Sequence, residues 1–171
     1  FMARLMGIPL LIHEQNAIAG TTNKLLRPLA SKVMQAFAGA LPQAETVGNP
    51  VRAEILALAA PAERIDYAST AVNLLVVGGS LGAKAINELL PQALALMPEM
   101  SRPNVWHQTG AVNADVTAQL YQDLRLQNAR IDAFVDDMAA AYQWADVIVC
   151  RAGALTVSEL AAAGLAGVLI P

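Results

Sequence analysis

"LLVVGGSLGAKAINELL", residues 74–90, reads as a strand, a glycine turn and a helix in direct succession. Leu74, Leu75, Val76 and Val77 form an unbroken apolar run, the spelling of a strand buried on both faces. Gly78 and Gly79 end it. Beyond Gly82 the apolar residues Ile86, Leu89, Leu90, Ala93, Leu94 and Met97 recur at spacings of three and four, which predicts one buried helical face. Gly78, Gly79, Ser80 and Gly82 therefore stand where a buried strand hands over to a helix. Free backbone N–H groups and the positive end of the helix dipole favour an anion there. Glycine lets a phosphate approach the main chain, and Ser80 adds a hydroxyl. A doubly wound fold needs glycines at such a turn in any case, so this turn alone leaves a phosphate site and simple chain geometry equally open. A dinucleotide site is the third reading. Its G-x-G-x-x-G fingerprint is followed roughly 20 residues on by an acid closing the next strand. Here the order is G-G-S-L-G-A, and the next strand, around "NVWHQTG", ends in His107, Gln108 and Thr109.

Outward from this unit the chain alternates. Strands are predicted at 9–13, 32–37, 45–47, 72–77, 104–107, 130–134, 146–150 and 168–170. Helices are predicted at 21–30, 51–58, 83–97, 113–124, 137–144 and 155–163. Strand and helix in turn imply parallel sheets with right-handed crossovers, an α/β fold. Residues 59–71 are polar and irregular, and a domain boundary is expected within 52–71.

Composition narrows the class. The 171 residues are 56% hydrophobic and 15% charged, ample for a core of one or two domains. No apolar run is long enough to span a bilayer, and "FMARLMGIPLL" lacks the cleavage site of a signal peptide. The chain starts at Phe1 and ends on the strand-like "GVLIP", so an excerpt of a longer chain is expected. The single cysteine, Cys150, excludes an internal disulfide and fits a reducing cytoplasm. His13 and His107 stand far apart with no paired cysteines, so no metal site is expected. The net charge of −3 hides an asymmetry. Residues 1–52 carry Arg4, Lys24, Arg27, Lys32 and Arg52 against Glu14 and Glu45, a balance of +3, and the remainder stands at −6. A basic segment joined to an acidic one suggests two domains with different partners. No basic stripe with interleaved aromatics points to nucleic acid.

A second anion site is spelled by "CRAGALTVSELAAAG", residues 150–164. A strand ends at Cys150, Arg151-Ala152-Gly153 turns, and a helix begins near Leu155. Its first turn exposes N–H groups of Ala154, Leu155 and Thr156, and Thr156 adds a hydroxyl. Glu159 lies early in the same helix, where a carboxylate can accept both hydroxyls of a ribose. Thr156 and Glu159 serve equally as a cap and a charge at a helix start. Just upstream, Phe134-Val135 stands at a strand end where a flat base could lie. Asp136 or Asp137 can cap a helix whose inner face is Met138, Ala141, Tyr142 and Ala145.

"HEQNAIAGTTNK", "VGNPVR", "LLVVGGSLGA" and "FVDDMAAAYQWADVIVCRAGALTVSELAAAG" together resemble the MurG family of cell-wall N-acetylglucosaminyltransferases. The motifs come in the family's order and cover nearly the whole chain. The resemblance implies a GT-B fold, two Rossmann-like parallel-sheet domains facing a cleft, both incomplete here. Residues 1–52 would be part of the N-terminal acceptor domain, which faces the membrane. Residues 53–71 would be a linker and first helix, and 72–171 most of the UDP-sugar domain. The implied reaction moves N-acetylglucosamine from UDP-N-acetylglucosamine to undecaprenyl-diphospho-N-acetylmuramoyl-pentapeptide, with inversion, on the cytoplasmic side of the bacterial membrane. The protein would be peripheral there, with no cofactor and no metal. Matched by motif, Asn16 and Arg52 would face the donor, and Ser80 would reach its diphosphate or sugar. Val135 would contact uracil through its backbone. Ala154, Leu155, Thr156, Val157, Ser158 and Glu159 would wrap diphosphate and ribose, with Glu159 on the diol. The family's glycine-rich acceptor loop would precede Phe1, and its sugar-reading glutamine pair would follow Pro171, so the chain alone is expected to be inactive.

The implied mechanism is a direct displacement, with charge growing on the departing UDP near the helix start at Leu155, the glycine turn and Arg52. His13 and Glu14 are base candidates by position, but either could instead shape the "HEQN" loop, and that role is favoured. His107 reads as a packed strand residue and Cys150 as an inert buried thiol. The rival readings are a truncated UDP-binding module without turnover and a dinucleotide oxidoreductase.

Overall fold

The computed structural model describes residues 2–66, 68–69, 71–79 and 83–171. Ser80 and Gly82 of the opening turn lie outside the described residues. The chain divides into two compact units, 1–51 and 52–171.

The first unit holds α1 (Met2–Leu5), β1 (Leu11–Glu14), α2 (Thr21–Leu26), β2 (Lys32–Gln35) and β3 (Glu45–Thr46). The three strands pair in parallel in the order β1-β2-β3, with Ile12 opposite Val33 and Gln35 opposite Thr46. Ile12, Ala19 and Leu41 form its small core. The helix expected over 21–30 stops at Leu26 and tightens into a 3-10 turn at Arg27–Leu29, because Pro28 lacks the N–H that would continue it.

The second unit holds α3 (Ala53–Leu56), α4 (Pro61–Arg64), β4 (Asn73–Val77), α5 (Lys84–Ala95), β5 (Asn104–Gln108), α6 (Ala114–Asp123), β6 (Ala129–Asp132), α7 (Met138–Trp144), β7 (Val147–Arg151), α8 (Ala154–Ala163) and β8 (Ala166–Ile170). All five strands are parallel, in the order β6-β5-β4-β7-β8. The chain enters at the central β4, walks out to β6, then returns beside β4 at β7. That reversal is a topological switch point, the place where doubly wound sheets open a crevice at their strand ends. The expected α/β class with parallel sheets is found in each unit.

Side-chain alternation divides the core. Leu74, Val76 and Val105 pack with Ile86 and Leu94 of α5 and Tyr121 of α6. Leu75 and Ile148 point the other way, and both are fully buried. The face of α5 differs from the reading: Leu89 is exposed, and the buried set is Ile86, Asn87, Pro91 and Leu94. Asn87 is inside because it is hydrogen-bonded there. Its Nδ2 donates to the Thr109 carbonyl at 2.9 Å and its Oδ1 faces His107 Nε2 at 3.1 Å. That geometry puts the proton on Nε2 and leaves Nδ1 to accept from the Tyr121 hydroxyl at 3.0 Å.

The segment read as irregular contains α4, a single turn started by Pro61. The strand expected to reach residue 134 stops at Asp132. β6 is an edge strand, and its pairing with β5 closes on two last bonds, from the Thr109 N–H to the Asp132 carbonyl at 3.0 Å and from the Gly110 N–H to the Ala133 carbonyl at 3.1 Å.

His107 yields a first prediction. Burial pushes its imidazole down to about 4 from an ordinary 6.5, because the charged form would lose its water. Below pH 6.5 the unfolded chain takes up a proton that the folded chain refuses. Stability is therefore intact above pH 6.5 and falls as the pH drops toward 4, by on the order of 3 kcal/mol for a shift of this size. Urea unfolding across this range should show the slope for the wild-type chain and lose it for His107→Gln.

Candidate functional site

The two glycine turns meet at the switch point. Val77 at the end of β4 lies opposite Cys150 of β7. Val77, Gly78 and Gly79 from one turn line a single cleft of about 290 Å³ with Arg151, Ala152, Gly153, Thr156 and Pro171 from the other. Gly79 sits at φ 84, a left-handed conformation that favours glycine. Its carbonyl accepts from Gln108 Nε2 at 3.0 Å. The same amide reaches the Ala133 carbonyl at 3.4 Å. Gln108 thus stands where a dinucleotide fold presents its ribose acid, but it is buried and turned onto the backbone. Among the described residues, the lining carries one cationic side chain, Arg151, and no carboxylate side chain.

Helix α8 starts on this cleft. Gly153 precedes it with extended backbone. Leu155 is exposed, while Ala154, Thr156, Val157 and Ser158 are half-buried. The Ser158 hydroxyl donates to the Ala154 carbonyl at 2.9 Å. Cys150, one strand residue before the turn, is buried, and burial pushes its thiol pKa up, so it is an inert core residue.

Glu159 is already held. Arg52 Nε donates to its Oε1 at 2.9 Å and Arg52 Nη2 to its Oε2 at 3.1 Å, a two-pronged ion pair. The Tyr142 hydroxyl donates to Oε2 at 3.1 Å. Burial and the neighbouring carboxylate raise the Tyr142 pKa, so the hydroxyl keeps its proton as a donor. The Glu159 carboxylate in turn raises the Arg52 pKa.

Val135 is buried in the loop just past β6, and Phe134 beside it is exposed. Of the two aspartates that could cap α7, Asp137 does so, accepting from the Ala140 N–H at 2.8 Å.

In the first unit the "HEQN" loop is built around Glu14. Its Oε1 accepts from the Asn16 N–H at 2.9 Å and Asn16 Nδ2 at 3.1 Å. Its Oε2 accepts from the Gly20 N–H at 3.0 Å and Asn23 Nδ2 at 2.9 Å. These donors pull the carboxyl down to about 2, led by the Asn16 N–H. A carboxylate held this way is a weak proton acceptor. His13 Nε2 donates to the Gly48 carbonyl at 3.0 Å, and Asn49 Nδ2 to the Gln15 carbonyl at 3.1 Å, which tie this loop to the "VGNP" turn. Asn16 is exposed beside them.

The structure thus pairs Arg52, just before α3, with Glu159 of α8, the helix whose Thr156 lines the cleft shared by the two glycine turns. His13, Glu14 and Asn16 belong to the first unit. Tyr142, Arg151 and Gln108 are the side chains that sequence reasoning left without a site role. Tyr142 meets Glu159 across 17 residues and Arg52 meets it across 107, spacings with no local signal.

Residues 73–171 match the glycosyltransferase family 28 C-terminal domain. The chain is similar to the UDP-N-acetylglucosamine--N-acetylmuramyl-(pentapeptide) pyrophosphoryl-undecaprenol N-acetylglucosamine transferase of Cellvibrio japonicus, with 58% identity covering 99% of this chain and 48% of that protein. The enzyme of the same name from Pectobacterium carotovorum is 53% identical, with 99% and 46% covered. The crystal structure of Acinetobacter baumannii MurG superposes with a TM-score of 0.79 at 45% identity, covering 99% of this chain and 47% of that one. The rhamnosyltransferase SpnG, complexed with thymidine diphosphate, shares the fold at TM-score 0.57 and 14% identity. The chain spans about half the length of the curated relatives it matches.

Proposed function

Because this chain belongs to glycosyltransferase family 28 and carries its C-terminal domain over residues 73–171, we propose that its second unit binds UDP-N-acetylglucosamine and that the protein it represents transfers N-acetylglucosamine to a polyprenyl-diphosphate-linked muramoyl-pentapeptide. The observation that carries this reading is the single cleft lined by both glycine turns at the switch point, with the start of α8 upon it. A diphosphate there would meet main-chain N–H groups, the positive end of α8 and Arg151. Ser80 would add its hydroxyl from the first turn. The ribose would lie farther along α8 at Glu159, and the base would reach the backbone at Val135. In the transfer step these positive groups would stabilise charge growing on the departing UDP. Arg52 would join them, or hold Glu159 as it does here. Glu14 would shape its loop through its four hydrogen bonds.

The domain assignment follows the same reading. Residues 1–52 would belong to the acceptor-side domain, 72–171 would form most of the donor domain, and 53–71 would join them. Among the described residues no helix is long and apolar enough to cross a membrane. A peripheral protein at the cytoplasmic face of the bacterial membrane fits the lipid-linked acceptor. The basic excess and the exposed Met2, Leu5 and Met6 around Arg4 would supply its contact.

Calorimetric titration of the 171-residue chain tests the donor site. UDP and UDP-N-acetylglucosamine are expected to bind, and NAD is not. EDTA is expected to leave UDP binding unchanged, since a diphosphate in a cleft whose described lining has a cation and no carboxylate needs no bridging metal. Binding of NAD without UDP would restore the oxidoreductase reading.

A further inference from the structure

Glu159 has more partners than a ribose-binding carboxylate needs. By lone-pair count Oε2 is saturated by Arg52 and Tyr142, while Oε1 holds Arg52 alone. A cis-diol that takes both oxygens must displace a donor from Oε2. The two donors differ in their freedom. The Arg52 side chain is 43% exposed and can move into water. Tyr142 is 1% exposed, with its ring packed inside the second unit. The backbone that carries it is pinned too. Arg64 Nη1 donates to the carbonyls of Tyr142 at 3.0 Å and Ala145 at 3.3 Å, and Nη2 to that of Ala163 at 2.6 Å. One guanidinium therefore ties the last turn of α7 to the last residue of α8, where the negative ends of both helices gather.

We infer that Tyr142 is a positioning residue for nucleotide selection: its buried hydroxyl is the fixed anchor that aims the Glu159 carboxylate at a ribose diol, and Arg52 is the partner that yields. This rests on the proposed donor site. Tyr142 touches no substrate in this account; it acts through Glu159. Without its hydroxyl the carboxylate follows Arg52, and the site loses its preference for ribose over 2′-deoxyribose.

Titration of the chain with UDP and with 2′-deoxy-UDP tests this. The wild-type chain is expected to favour UDP, and Glu159→Gln to remove most of that preference. Tyr142→Phe, which keeps the core-filling ring, is expected to lower UDP affinity roughly three- to tenfold, the worth of one hydrogen bond, with little change for 2′-deoxy-UDP. The ratio of the two affinities within one variant is the readout, because a loss of fold lowers both alike. A Tyr142→Phe ratio equal to wild type, with Glu159→Gln still losing its preference, overturns the inference and leaves the donor site standing. Equal affinities in the wild-type chain overturn the placement of the ribose at Glu159 and the inference with it.

Discussion

Glu159→Ala is expected to weaken UDP-N-acetylglucosamine binding by about 1.5–3 kcal/mol, roughly ten- to a hundred-fold, the worth of hydrogen bonds to a charged acceptor. The carboxylate stands on α8, the helix that starts on the cleft where both glycine turns converge, and its side chain is 14% exposed. Truncation also frees Arg52 and leaves the Tyr142 hydroxyl without its acceptor, so the variant is compared with Glu159→Gln, which keeps a hydrogen-bonding group. Calorimetry gives the affinities and circular dichroism verifies the fold. A folded Glu159→Ala chain with unchanged affinity would sink the assignment.

Glu14→Ala is expected to be the most destabilising change in the first unit, on the order of 3 kcal/mol, since it strands four donors that now share one buried carboxylate. The cost falls on the loop from Gln15 to Gly20, which the carboxylate closes through the Asn16 and Gly20 N–H groups. The acid titration carries the same signature. The carboxyl is lowered from 4.5 to about 2, so its stabilising effect is complete above pH 4.5 and is lost as the pH falls toward 2. This window lies below the His107 window, and the two separate in a pH series. Glu14→Gln should remove the lower slope and leave the upper one. An undiminished lower slope in that variant would show that the carboxylate does not organise the loop.

Strand and helix order was legible because each element carries its own period. The run 74–77 could only be a strand buried on both faces, and β4 is the centre of its sheet. Boundaries were lost where partners set them. β6 closes with its neighbour β5. At α2 the cause is local instead, since Pro28 cuts the helix short. The inner face of α5 was misread at Leu89 and Asn87, because a buried asparagine is explained only by its neighbours His107 and Thr109. The glycine turns and the carboxylate at Glu159 were visible as local chemistry at strand ends. The grip of Arg52 and Tyr142 on that carboxylate was not, since it joins three distant segments of the chain. The "HEQN" motif marked a functional loop by resemblance, but only the four hydrogen bonds show what its glutamate does in the fold.

The most direct measurement is a titration of the isotopically labelled chain with UDP, followed by backbone amide NMR. The donor-site account predicts that the largest shifts fall on Gly78, Gly79, Gly153, Ala154, Leu155, Thr156 and Val135, with a smaller set around Glu159. Amides at the opposite edge of the sheet, such as Asn104 and Asn128, should stay in place. Saturable shifts centred away from the β4 and β7 turns, or none at millimolar UDP, would contradict it.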